Sequence, residues 1–331
     1  AKGDVLVVTV VERPAIASVE INGTKEFDKD TLKEALKGVG IGESLIFDRS
    51  LLDKAEQELK RQYLSRSKYG AQVQTRVDQL ARNRVGITFN VDEGESASIK
   101  QLKIIGSKEF TEKQLLEEFE LSTGGLMSWY SKNDQYSRQK LSGDVEKLRS
   151  FYLNRGYADF SIENTQVQIA PNKQDIFITI TIKEGQKFTF GDVELSGQLL
   201  GRDAELRGLM QAKKGETFNG EALTDTTKSI QDRLGNYGYA FANANVIPEL
   251  DREKRVVNIN IAVDPGKRVY VRRMNVGGNT RTKDEVVRRE FRQFESSWYD
   301  SRKIQLSKER VDRLGYFSNV DIETQPVPGT S

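Results

Sequence analysis

The 331-residue sequence has no histidine, no cysteine and only six prolines. Without histidine the usual general base near neutral pH is missing, and without cysteine there is no thiol nucleophile, no disulfide and little scope for zinc ligation. Absence of cysteine fits a reducing compartment and an oxidising one equally, so it leaves the location open. No run of about 18 apolar residues occurs, which excludes a membrane-spanning helix. An excess of one charge is also lacking: 51 Lys and Arg stand against 49 Asp and Glu, a formal balance of +2. Nucleic-acid binding normally needs a strongly basic domain, so that class is disfavoured. The 37% of hydrophobic residues suffices for several small cores.

What the chain does contain is a fourfold internal repeat. Each repeat opens with a short strand ending in glycine: VEING at 19–23, LKIIG at 102–106, VELSG at 193–197 and MNVGG at 274–278. An aromatic turn follows at Tyr69, Tyr157, Tyr239 and Tyr316. A closing strand then ends at DEG (92–94), KEG (183–185) and DPG (264–266). The fourth repeat reaches no closing strand, whereas residues 4–11 resemble a closing strand that no opening strand precedes. The chain is therefore expected to be a segment of a longer array, and such arrays usually present surface to partners.

Periodicity identifies the elements. In the closing strands Val85, Ile87, Phe89 and Val91, then Ile176, Ile178, Ile180 and Ile182, then Val257, Ile259, Ile261 and Val263 alternate with other residues, the period-2 signature of a strand with one face buried. Ahead of the aromatic turns, apolar residues recur in steps of three and four: Leu52, Ala55, Leu59, Tyr63; Leu141, Val145, Leu148, Tyr152; Leu223, Thr227, Ile230, Leu234; Ile304, Ser307, Val311, Leu314. Each set marks one stripe of a helix. An earlier helix in each repeat has start signals at Asp28 or Asp30, at Thr111 with Gln114, and at Thr282 with Glu285.

The predicted fold class is α+β, a tandem array of β-α-α-β-β domains, each a three-stranded mixed sheet with two helices on one face. Proline orders the strands, because it cannot donate to a ladder and is tolerated mainly at edges. Pro248 and Pro326 fall in the strands after the aromatic turns, so those are edges and the closing strands are central.

Enzymatic signatures are weak. Ser65 and Lys68, and Ser137 and Lys140, fit S-x-x-K, but both copies read as polar helix surface. Glu93, Glu95 and Glu184 crowd the repeat boundaries, where hinges are a better reading than metal sites. The glycines of 38–42 separate two helices and do not follow a strand, so they lack the setting of a phosphate loop. Gly235 to Gly238 fits G-x-x-G yet does not join two helices as a KH loop would. No catalytic, metal or cofactor residue is assigned, and neither nucleic acid nor a small-molecule substrate is expected.

The repeats resemble POTRA domains, and more closely the periplasmic arrays of the outer-membrane β-barrel assembly factors. ERPAIAS at 12–18, QKLSGDVEKLRSFYLNRGY at 139–157, DEVVRREFRQFE at 284–295 and SKERVDRLGYF at 307–317 carry the resemblance. It implies domains at 13–94, 95–185, 186–266 and 267–331, matching the second to fifth POTRA domains, with residues 1–12 the last strand of a first domain and the fifth lacking its final strand. It implies a periplasmic location as part of an outer-membrane protein, with the β-barrel of the family missing from this segment. The implied partners are unfolded outer-membrane proteins and accessory assembly lipoproteins. POTRA regions of two-partner secretion transporters and of the translocation and assembly module are the alternative.

Two candidate partner-binding sites follow. An exposed edge strand offers unpaired N–H and C=O groups to which an extended segment can add. In the second repeat, equivalent to the family's third domain, Val167 and Ile169 alternate with Gln166 and Gln168 and no proline intervenes before Pro171. Ser161, Ile162, Gln166, Val167, Gln168 and Ile169 are the candidates there, whereas Pro248 should weaken addition in the third repeat. In the fourth repeat, Arg288, Arg292 and Glu295 are placed on the first helix, where the resemblance implies lipoprotein docking. Finally, residues 4–11 of one molecule could complete the fourth repeat of another, head to tail.

Overall fold

The computed structural model describes residues 12–123 and 134–327. The strand read over residues 4–11 therefore lies outside the described residues, and so does its exchange between molecules. The first repeat runs β1 (Ala15–Asn22), α1 (Lys29–Gly38), α2 (Leu52–Leu64), β2 (Gln72–Leu80) and β3 (Arg84–Asp92). The second comprises β4 (Ser98–Ile105), α3 (Glu112–Leu116), α4 (Arg138–Leu153), β5 (Ser161–Ile169) and β6 (Asp175–Lys183). The third comprises β7 (Thr189–Gly197), α5 (Asp203–Arg207), α6 (Gly220–Gly235), β8 (Asn243–Asp251) and β9 (Val256–Asp264). The fourth shows α7 (Asp284–Arg288) and α8 (Ser301–Asp312).

Each of the first three repeats forms a three-stranded sheet, in the orders β1-β3-β2, β4-β6-β5 and β7-β9-β8. The closing strand is central in each, parallel to the opening strand and, in the first and third, antiparallel to the edge strand. The predicted α+β class and strand order are thus observed. Every second residue of the central strands is buried, Ile87, Phe89, Ile176, Ile178, Ile180, Val257 and Ile261 completely. Three such branched or aromatic side chains in succession hold each strand between its neighbours by area burial, at about 1.5–3 kcal/mol apiece.

The described residues fall into two compact units: those up to Leu148 with Ile162–Lys183, and Arg149–Ser161 with those from Glu184 onward. The end of α4 and its turn thus pack with the third repeat. There Tyr152 stacks on Phe160, with ring centroids 4.3 Å apart, and meets Tyr157 edge-on.

The second-helix stripes differ from the predicted ones at two positions. Asp144 and Thr226 are fully buried, while Val145 and Thr227 turn partly outward. The reason is a shared device that links the two helices. Asp144 accepts the N–H groups of Glu120 and Leu121 at 2.7 and 2.8 Å, Thr226 Oγ1 accepts Gln211 N–H at 3.0 Å, and Ser307 Oγ accepts Arg292 N–H at 2.8 Å. In each case a buried polar atom about two turns into the second helix receives the chain as it leaves a five-residue first helix. The first repeat has Ala55 at this position and a ten-residue α1. Buried polar groups must be paired, so the apolar stripe admits this one polar member.

No ladder forms in the fourth repeat among the described residues; only an isolated bridge, Tyr270 to Trp298, is present. The opening glycines report the same contrast. A Cβ on Gly23, Gly106 or Gly197 would lie 2.0, 2.0 or 2.2 Å from the carbonyl oxygen of Val91, Ile182 or Val263 on the central strand, whereas one on Gly278 would meet nothing within 4 Å. α7 also starts one residue later than its predicted Thr282 cap, at an N-cap Lys283 that makes no side-chain bond, because the Thr282 carbonyl is held by Asn279 Nδ2 at 2.9 Å. The Thr111–Gln114 capping box forms as read.

Candidate functional site: a free strand edge and a basic aromatic face

β5 is the outer strand of its sheet and spans nine residues. At its hairpin end Ala170 N–H donates to the Asp175 carbonyl at 2.9 Å. Antiparallel ladders alternate between residues whose backbone groups face the partner and residues whose groups face away. Next to the hairpin this alternation turns the main-chain groups of Gln168 towards β6 and those of Val167 and Ile169 to the free edge. Of the six candidates, Gln166, Gln168 and Ile169 are exposed, and Ser161, Ile162 and Val167 are half-buried.

β8 provides an internal comparison. Pro248 stands opposite Ile259 in an unbroken antiparallel register, so the proline does not interrupt the strand. It occupies the position equivalent to Val167, three residues before the hairpin residue Asp251 as Val167 is three before Ala170. A proline there costs the ladder nothing, because its missing N–H would have pointed away from β9. What it removes is one donor at the middle of the free edge.

The serine and lysine pairs are not set up for catalysis. Ser65 Oγ donates to the Gln62 carbonyl at 2.6 Å, and Lys140 Nζ pairs with Glu120 at 2.6 Å. Lys68, read as surface, is buried: the left-handed turn at Ser67 swings it inward, where Nζ lies 3.3 Å from both Glu93 Oε2 and the Gly94 carbonyl. Burial raises the Glu93 carboxyl, but the Glu26 and Lys25 N–H groups and then Lys68 outweigh it and hold it below the usual range. Glu184, at the equivalent position, accepts the Tyr152 hydroxyl at 3.0 Å. Among the described residues no group of three or more Asp and Glu side chains could hold a metal, and no helix is long and apolar enough to cross a membrane.

In the fourth repeat only Arg288 of the three candidates lies on a helix. α7 stops there, because Ser307 captures the Arg292 N–H and draws the chain off the helical path. Arg292 and Glu295 belong to the following segment. Arg288 is held by Asp284 (2.6 Å), the Met274 carbonyl (2.8 Å) and Glu295 (3.4 Å). Glu295 also accepts the Met274 N–H at 2.8 Å, which, with Arg288, keeps its carboxyl below the usual range. Arg292 folds back onto the Phe291 and Arg289 carbonyls. The region has a charge of its own: residues 267–331 contain 14 Lys and Arg against 9 Asp and Glu.

Beside this segment lies an aromatic group that sequence reading missed. Tyr270, Trp298 and Phe294 are 59, 52 and 59% exposed, and the Arg268 guanidinium stands 4.4 Å from the Trp298 ring centroid. The equivalent bridges in the other repeats are Ala15–Ile46, Ser98–Gln135 and Thr189–Thr217. The fold tolerates small and polar residues there, so it does not itself require the Tyr–Trp pair. Comparing the repeats position by position was the signal available.

The sequence profile of the POTRA family, described as a surface antigen variable number repeat, matches residues 14–94, 97–185, 188–266 and 269–330. Among curated proteins, the outer membrane protein assembly factor BamA of Neisseria meningitidis serogroup B is 39% identical over 326 residues, 98% of this chain and 41% of that protein. BamA of Buchnera aphidicola is 27% identical over 97% of the chain and 52% of its own length. The chain thus spans about two-fifths to one-half of these relatives. Among solved structures, Haemophilus influenzae BamA POTRA3-5 superposes with a TM-score of 0.62 at 30% identity, over 71% of this chain and 92% of that one. With four successive matches running through nearly all of its length, the chain belongs to the POTRA family and matches the POTRA region of the BamA outer-membrane protein assembly factors.

Proposed function

We propose that this chain is a periplasmic scaffold of the outer-membrane β-barrel assembly machinery, which receives unfolded outer-membrane proteins by strand addition and docks accessory lipoproteins. The observation that carries the first part is the free edge of β5, nine residues long with no proline. Main-chain pairing is largely blind to client sequence, which suits a protein that handles many clients. For lipoprotein docking, the support is the basic fourth repeat with Arg288, Arg292 and Glu295 beside exposed Trp298 and Tyr270. Aromatic and arginine side chains are the usual anchors of protein interfaces.

Amide NMR of the whole chain, titrated with a peptide copied from an outer-membrane barrel strand, tests the first part. Shifts are expected at Val167 and Ile169. Val167→Pro should abolish them while the β5–β6 ladder persists, since β8 accommodates a proline at this position. Pro248→Val should create a response at β8. Undiminished binding by Val167→Pro would overturn strand addition at β5.

A further inference from the structure

We infer that the second helices of the repeats are coupled end to end through their C-terminal asparagines, and that Asn236 is the positioning residue that fixes the fourth repeat on the third. α6 ends at Gly235 and α8 begins at Ser301. Asn236, the C-cap of α6, places Oδ1 3.1 Å from the Arg302 N–H and 2.7 Å from the Ser301 hydroxyl. That hydroxyl also lies 2.8 Å from the Asp232 carbonyl in the last turn of α6. The end of one helix, where carbonyls are unpaired, and the start of the next, where N–H groups are unpaired, thus satisfy each other through two side chains.

The contact is close as well as polar. A Cβ on Gly235 would lie 2.9 Å from Ser301 Oγ and 3.1 Å from Ser301 Cβ. A second tie runs beside it. The turn residue Gly238 offers its carbonyl to the Val269 N–H at 2.9 Å, and Arg268 Nε donates to the Tyr237 carbonyl at 2.9 Å. Two separated attachment points, one at the helix ends and one at the linker, remove the rotation that a single point would leave.

The same pattern recurs one repeat earlier. Asn154 Oδ1 accepts the Glu221 N–H at the start of α6 at 2.9 Å, and the Gly156 carbonyl accepts Phe188 N–H at 2.8 Å. After α2 the linker tie is present, the Ser67 carbonyl accepting Ala97 N–H at 2.8 Å, and the Ser67 hydroxyl donates to the Tyr136 carbonyl just ahead of α4 at 2.6 Å, while Ser65, at the position of the asparagines, bonds within its own helix. Asparagine is not demanded by the turn itself, because Ser65 ends α2 in the same way. What distinguishes Asn154 and Asn236 is that each reaches the following second helix.

Substitution at Asn236 can be separated from unfolding. The Arg302 N–H keeps a second acceptor, Asp300 Oδ1 at 3.0 Å, so α8 retains its own cap when Asn236 is removed. The chain has no native cysteine, so spin labels at Arg252→Cys and Arg313→Cys, both exposed, report the distance between the two repeats by pulsed electron resonance. The unsubstituted chain is expected to give one narrow distribution. Asn236→Ala should broaden it with unchanged helicity and unchanged β8–β9 amide protection, while Asn236→Asp, which keeps the acceptor, should stay narrow. Gly235→Ala favours the helix but wedges Ser301 away, and should shift the mean distance. The inference is overturned if both Asn236→Ala and Gly235→Ala leave the distribution unaltered, or if broadening comes only with lost protection in β8–β9.

Discussion

Asp144 illustrates how one residue departs from a pattern for a physical reason. Its carboxylate is fully buried and receives two backbone N–H groups, with Lys147 Nζ 3.3 Å away. Asp144→Ala would leave both donors unpaired and should lower the stability of the second repeat by about 2–3 kcal/mol, read from urea unfolding followed by amide NMR, with Asp144→Asn closer to the parent. Glu205 makes a different prediction. Hydrogen bonds from Arg233 at 2.5 Å, Tyr237 at 2.8 Å and Arg202 at 3.0 Å hold its carboxyl at about 2. A carboxyl that is more acidic in the folded state contributes stability that is complete above the unfolded value, near 4.5, and is lost as pH falls from there towards about 2. Glu205→Gln should therefore flatten the acid side of the third repeat's stability profile over that window. An unchanged acid limb would refute it.

At the scale of elements, the opening glycine shows how closely strand and turn are linked. Gly106 has φ +106° and no room for a Cβ against the Ile182 carbonyl, whereas Gly278 has φ +81° and open space. Gly106→Ala should cost more than about 3 kcal/mol, because steric overlap with the central strand adds to backbone strain. Gly278→Ala should cost only the 1–2 kcal/mol or so of the left-handed conformation. Thermal melts of the two variants check this, and equal costs would contradict it. The glycines were visible as a repeat signature in the sequence. Their reason, a carbonyl of the parallel neighbour in van der Waals contact, depends on a strand some 70 residues away and was not. The limits of α7 were misread for a related cause: the amphipathic pattern of 284–295 continues past Arg288, but Ser307 on another helix takes over the Arg292 N–H. Lys68 was misread because a local turn, not its neighbours' polarity, set its direction.

For the whole molecule, uneven completion of the sheets has a measurable consequence. Amide exchange should be slowest in β3, β6 and β9, which pair on both sides, and fast in 275–278 and 318–327, which form no ladder among the described residues. Protection of 275–278 equal to that of β9 would contradict this. The basic balance is likewise local, with +5 in residues 267–331 of a chain that totals +2. Contacts of that repeat with an acidic partner should weaken with salt, whereas main-chain strand addition at β5 should change little. Ionic strength therefore separates the two proposed modes of binding.

The sequence by itself determined the repeat, the α+β class, the central place of the closing strands and the edge position of the strand that carries Pro248. All of these follow from local periodicity and from the inability of proline to donate, which act whatever the rest of the chain does. Tertiary structure alone decided which backbone groups of β5 face outward, which polar side chains enter the core at Asp144 and Thr226, and how Asn236 meets α8. Those depend on strand register and on helix ends approaching within hydrogen-bond distance, and residues far apart in the chain set both.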